Sequence, residues 1–336
     1  MHVTLRIQRH NPDTEQGGLE TYTVDAPETA TLLDVLDIVK DEVDGSLSFR
    51  RSCRMAVCGS CGMRMDGAAV LACKTPMRPL VEAGHVPTIG PMGNLPVIKD
   101  LVVDMTPFWE KFLAIKPWLD DADAEPPVRE WRVQQEQVDR VMKEALCIQC
   151  GCCVSECNSM EADPDFLGPA ALAKAARFVY DVRDRGGKER LKLYNGPHGV
   201  WDCTRCYFCQ QRCPKGVDPR DAIAKVGAAI YQEGMHQDRG ARHAKVFVKS
   251  THKTGYLLET ALVPETVGAI ASIKDIPFAL KMARRGKVPN PLKPHKAGKL
   301  DEVRRLNSLI EQQERDHREA GRSGPARGDE GERNAP

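Results

Sequence analysis

Ser52-Cys53-Arg54-Met55-Ala56-Val57-Cys58-Gly59-Ser60-Cys61-Gly62 sets three thiols in the spacing C-x4-C-x2-C, and Cys73 stands downstream as a fourth. That is the plant-type ligand pattern of a [2Fe-2S] cluster. Two irons need four thiolates, and the loop must wrap them closely enough for backbone N–H groups to reach the sulfurs, which Gly59 and Gly62 permit. A four-cysteine zinc site is the competing use of such residues, but zinc knuckles pair two C-x2-C elements.

Upstream of this loop, Val3 to Gln8 and Glu20 to Val24 alternate like half-buried strands. Thr31, with Asp34 three residues on, opens a helix carrying Leu32, Val35, Leu36 and Val39 on one face. Strand, strand, helix and cysteine loop predict an α+β chain whose residues 1–105 form a β-grasp ferredoxin domain. Pro117, Pro126 and Pro127 disfavour helix, so 106–135 reads as a linker.

The stretch 136–245 reads as an α-helical dicluster domain. Helical patterns pass through Val138, Val141, Met142 and Ala145, through Leu172, Ala176, Val179 and Tyr180, and through Ile223, Val226 and Ile230. Between them lie two C-x2-C-x2-C-x3-C runs, Cys147, Cys150, Cys153, Cys157 and Cys203, Cys206, Cys209, Cys213. In two-cluster ferredoxins the fourth cysteine of each run ligates the other cluster. The expected sets are therefore Cys147, Cys150, Cys153 and Cys213 for one [4Fe-4S] centre, and Cys157, Cys203, Cys206 and Cys209 for a second. Cys152 is the only spare among thirteen cysteines and reads as a small buried thiol.

Thirteen clustered cysteines suit metal ligation in a reducing compartment better than paired disulfides. With 48 basic and 47 acidic side chains there is no field to attract nucleic acid. The N-terminus lacks a signal peptide's apolar core, and Lys274, Asp275 and Lys281 interrupt the longest apolar region, Thr266 to Ala283. The expectation is a cytoplasmic protein whose membrane attachment, if it has one, comes from a partner. Nine histidines carry no ligand spacing or partnered nucleophile, so no catalytic residue is indicated.

Phe49 to Cys73, Cys147 to Cys157 and Cys203 to Gly216 together resemble the iron–sulfur subunit of succinate dehydrogenase and fumarate reductase, over roughly residues 1–245. The resemblance implies a flavoprotein partner with covalent FAD and electron relay to or from a quinone through a membrane arm. In the better-known members an aliphatic residue stands at the position of Cys206 and that cluster is [3Fe-4S]; a cysteine here implies a second [4Fe-4S] centre. Those members also have Pro after the counterpart of Cys157, Trp a few residues on, and His after that of Cys203. This chain has Asn158, Glu161 or Ala162, and Thr204, so it departs from the usual quinone site.

Beyond the cysteines, His252 to Gly255, Lys281 to Lys287 and Pro291 to His295 resemble the end of the small iron–sulfur subunit of heterodisulfide reductases. That implies a helical extension, 246–320, docking a membrane-arm partner with CCG repeats. The small, charged residues of 321–336 predict a disordered tail. The same motifs serve thiol- or heterodisulfide-coupled fumarate reductases, and a stand-alone ferredoxin-like carrier is the simplest competing function.

Overall fold

The computed structural model describes residues 1–120, 130–235, 237–268, 270–287 and 295–322. The expected tail lies outside these from residue 323 on, as do the 121–129 part of the expected linker and 288–294 of the expected extension.

Strand β1 (His2–His10) pairs antiparallel with β2 (Gly17–Asp25), setting Val3 opposite Val24 and Leu5 opposite Tyr22. Alternation sends Val3, Leu5 and Ile7 inward. Short strands β3 (Gly62–Met65), β4 (Ala68–Leu71) and β5 (Thr88–Gly90) complete a mixed sheet in the order β2-β1-β5-β3-β4, with β1 and β5 parallel. Helix α1 (Leu32–Ile38) starts where the sequence predicts. Asp34 N–H donates to Thr31 Oγ1, and Thr31 N–H donates back to Asp34 Oδ2 at 2.9 Å, a complete capping box. Leu32, Leu33, Val35 and Leu36 are buried in one core with Val3, Leu5 and Ile7.

Ion pairs fasten the cysteine loop to α1. The buried Asp37 carboxylate meets the guanidiniums of Arg51 and, at 2.7 Å, Arg54. A second anchor is Asp100, in the turn between β6 (Val97–Lys99) and β7 (Val102–Val103). Its carboxylate accepts from Arg9 Nε at 3.0 Å, His10 N–H at 3.0 Å and Ser48 N–H at 2.9 Å.

After the short α2 (Arg78–Glu82), the expected linker corrects to a helix in its first third, α3 (Thr106–Ala114). Pro107 sits in the first turn, where a missing N–H breaks no helical bond, and Phe108 and Phe112 are buried. Then follow α4 (Gln135–Ala145), α5 (Cys152–Ser155), α6 (Asn158–Ala162), α7 (Gly168–Val179), α8 (Gly187–Asn195), α9 (Phe208–Gln211), α10 (Pro219–Gln232), α11 (Arg239–Thr254), α12 (Glu259–Val267), α13 (Ile276–Arg284) and α14 (Leu300–Arg322).

Packing divides the chain differently from the expected linear order. One unit comprises Met1–Trp118, Asp139–Phe178 and Asp202–Lys225, so the first sheet and all the cysteine loops share it. The other contains Leu119–Val138, Val179–Trp201 and the chain from Val226. In the second unit Trp201 lies against Gly240, where a Cβ would come 2.2 Å from the Trp201 Cβ. Asp238 caps α11 there, and Arg190 and Asp184 form a buried pair at 2.7 Å. No helix among the described residues is long and apolar enough to cross a membrane.

Asp100→Ala would leave Arg9 and two backbone N–H groups facing a side chain that cannot accept. Breaking a buried ion pair costs about 3–5 kcal/mol, so thermal unfolding of the purified chain should begin roughly 10 °C lower, whereas Asp100→Asn, which keeps one acceptor oxygen, should lose less.

Candidate electron-transfer site

The first four thiols converge because the loop backbone coils back on itself. Arg54, Ala56 and Gly59 all have positive φ, at 57°, 57° and 74°, which turns successive N–H groups toward the sulfurs. Cys53 Sγ accepts from the N–H of Met55, Val57 and Cys58 at 3.3–3.4 Å, Cys58 Sγ from Cys53 N–H, Cys73 Sγ from Ala56 N–H at 3.2 Å, and Cys61 Sγ from Cys73 N–H. Cys58 is exposed, and the Ser60 hydroxyl bond leads in pulling its thiol down to about 6. Cys61 is buried, and desolvation pushes its thiol up to about 11.

One cavity is lined by Cys147, Cys150, Cys153 and Cys213, with Ala170 and Ala173 of α7 on its apolar wall. A second is lined by Cys157, Cys203, Cys206 and Cys209, with Phe166 and Ile223. Each cavity therefore takes three cysteines from one run and the fourth from the other. The two runs also share backbone geometry. Gln149 and Gly151 flank Cys150 at φ 53° and 80°, and Arg205 and Tyr207 flank Cys206 at 58° and 68°. α5 and α9 then begin at equivalent positions, so Cys206 faces its cavity as Cys150 faces the other.

Burial raises the thiols of Cys147, Cys153, Cys157 and Cys203, and pushes Cys209 up to about 12. Metal-free, these groups would keep their protons; thiolates in so dry a place need cations to stabilise them. Soft donors in fours, apolar walls and backbone N–H groups aimed at sulfur fit iron–sulfur clusters, which when bound supply one-electron transfer. Cys152, the thirteenth, is wholly buried and hydrogen-bonded to the Cys150 sulfur, a contact that leads in lowering Cys150 to about 7.

The loops also meet. A Cβ on Gly59 would lie 2.7 Å from the Cys150 Cβ and 2.8 Å from its Cα, and one on Gly62 would lie 3.1 Å from the Cys150 carbonyl. The first cysteine loop thus touches the wall of the first cavity, backbone to backbone.

Residues 4–110 match the family described as a 2Fe-2S iron-sulfur cluster binding domain, and 145–217 match a 4Fe-4S dicluster domain. The fumarate reductase iron-sulfur subunit of Haemophilus influenzae is 41% identical over 233 residues, covering 66% of this chain and 90% of that one. This chain belongs to the succinate dehydrogenase and fumarate reductase iron–sulfur subunit family. The 8-methylmenaquinol:fumarate reductase iron-sulfur subunit of Wolinella succinogenes is 38% identical over 271 residues, covering 79% of this chain and 84% of that one. A solved structure, the Mycobacterium smegmatis Sdh1 complex in the apo form, contains a similar chain with TM-score 0.64 and 26% identity, covering 70% of this chain and 98% of that one. As an iron–sulfur subunit, the protein carries [2Fe-2S] and [4Fe-4S] centres and transfers electrons within an oxidoreductase complex whose dicarboxylate chemistry lies on another chain.

Sequence reasoning about the iron–sulfur subunit missed Tyr207. An aromatic at φ 68° carries no compositional signal; its ring is covered by the Arg220 guanidinium, 4.5 Å from the centroid.

Gly59→Ala should disturb both loops, because strain and the Cys150 contact act together. Gly67 has a similar φ, 79°, with nothing within 4 Å of the place a methyl would take, so Gly67→Ala isolates the backbone term of roughly 1 kcal/mol. Gly59→Ala protein should show lower [2Fe-2S] occupancy and an altered neighbouring-cluster EPR spectrum, while Gly67→Ala leaves both unchanged.

Proposed function

We propose that this chain relays electrons between the FAD of a flavoprotein subunit and a quinone-linked membrane arm, through one [2Fe-2S] centre on Cys53, Cys58, Cys61 and Cys73, a [4Fe-4S] centre on Cys147, Cys150, Cys153 and Cys213, and a second [4Fe-4S] centre on Cys157, Cys203, Cys206 and Cys209. The observation carrying this reading is the pair of cavities, each with four cysteines at its wall, the first in backbone contact with the [2Fe-2S] loop. Apolar Met55 and Val57 stand 71% and 56% exposed beside Cys58, an apolar tip suited to a docked flavoprotein. Membership in a family of succinate dehydrogenase and fumarate reductase subunits supports the overall course of this relay without fixing which way it runs.

The arm we propose is of the CCG type, docked on the C-terminal extension, which holds the chain at the cytoplasmic face of the membrane. Ile273, Phe278 and Leu280 in and before α13 are 60%, 67% and 54% exposed, an apolar surface that extends around more than one side of the helix among the described residues. The match to the Wolinella subunit is longer by 38 aligned residues, 271 against 233, than that to the Haemophilus one. Because α11 buries Ala241 and Val246, a cut at residue 246 would damage the second unit itself. Surface substitutions test the idea without that damage: Ile273→Asp with Phe278→Asp should release the membrane-arm subunit on purification and leave all clusters and the flavoprotein in place. Retention of the arm by the double variant would count against this surface.

The second cubane is tested at Cys206. Cys206→Val should convert that centre to [3Fe-4S], giving an EPR signal in the oxidised state that the anaerobically isolated parent lacks. A native [3Fe-4S] signal in the parent would remove Cys206 from the ligand set.

A further inference from the structure

Helix α5 is one turn long, and its end is held by the first domain. A four-residue helix satisfies few of its own carbonyls, so its C-terminal groups need outside donors. Asn94, in the left-handed region at φ 60°, supplies two: its Nδ2 donates to the Val154 carbonyl at 2.8 Å and the Cys157 carbonyl at 3.0 Å. Gly93 N–H donates to Ser155 Oγ at 3.0 Å. Arg64, on β3, donates from Nε to Ser155 Oγ at 3.1 Å and to Glu156 Oε1 at 3.2 Å, and from Nη2 to the Ser155 carbonyl. Ala69 N–H, on β4, donates to the same Glu156 oxygen at 3.2 Å. Gly93 leaves room for this, since a Cβ there would lie 2.3 Å from Arg64 Nη2.

Every residue from Val154 to Cys157 is thus gripped by the sheet and the 93–94 turn, and Cys157 is the residue its own run contributes to the far cavity. The geometry points to a positioning role for Asn94 and Arg64: the [2Fe-2S] domain sets the direction in which Cys157 enters the Cys203–Cys209 cavity. The inference rests on the ligand exchange proposed above. It makes the first domain a structural partner of the cluster beyond its neighbour, through hydrogen bonds that touch no sulfur.

The test uses the intact complex, purified without oxygen. Asn94→Gly keeps the left-handed backbone and removes both amide bonds; Glu156→Gln keeps shape and weakens the Arg64 contact as a milder second variant. Iron and sulfide content, EPR of each centre and its midpoint potential are measured together. The expected result is at least a two-fold loss, or a shifted potential, of the Cys157 centre with the [2Fe-2S] signal unchanged, larger for Asn94→Gly than for Glu156→Gln. Three intact centres at unchanged potentials in both variants would overturn the positioning role. Loss confined to the Cys147–Cys153 centre would uphold a role for Asn94 in holding Cys157 while overturning the exchange of fourth ligands.

Discussion

The Gly59 backbone packs directly against Cβ and Cα of Cys150, and the arrangement of the cysteine loops depends on that meeting. Electron tunnelling falls exponentially with separation, so a loop that merely folded nearby would serve poorly. Removing the Cβ at Gly59 brings the [2Fe-2S] loop to van der Waals distance of a cysteine in the next cavity. The same glycine has φ 74°, so one residue serves both the coil of its own loop and the approach to the next. Asp37, paired with Arg51 and Arg54, then fixes that loop to α1 and so to the sheet.

Electrostatics explains the distribution of the remaining charges. Many thiols gather where water is scarce, and burial raises most of them. The field that favours thiolate comes from several directions: the Ser60 hydroxyl and the Cys53 N–H at Cys58, the Cys152 thiol at Cys150, and a half-buried Lys174 facing Cys147. Burial lowers the Lys174 ammonium and the Cys147 charge raises it, so the lysine is most at ease when the cavity is anionic. Hydrogen bonds and nearby cations of this kind are the levers by which a protein sets cluster potentials.

Much of this was legible in the sequence for a plain reason: ligation demands fixed spacing, and the spacing of cysteines survives as text. The capping box at Thr31 and Asp34 was legible for a similar reason, since three residues separate its partners by geometry. What escaped notice was long-range. Nothing near Gly59 announces Cys150, and nothing near Asn94 announces Cys157, because those contacts join segments separated by the intervening helix α3 and the residues after it. Helix α3 itself was hidden by its proline, which sits where a helix tolerates one. Cys152 was rightly read as buried, but its bond to the Cys150 sulfur depends on which way a side chain turns within one short helix.

The interleaving of the two runs has a further consequence for how such a chain is made. Cys213 lines the cavity that begins at Cys147, and Cys157 lines the one that begins at Cys203. Neither wall closes until both segments are present, so a ribosome must pass residue 213 before either cavity is complete. Until then Cys147, Cys150, Cys153 and Cys157 lack the walls that the later segment supplies. A copy ended before residue 213 would thus retain the first cysteine loop but lack both complete cavities.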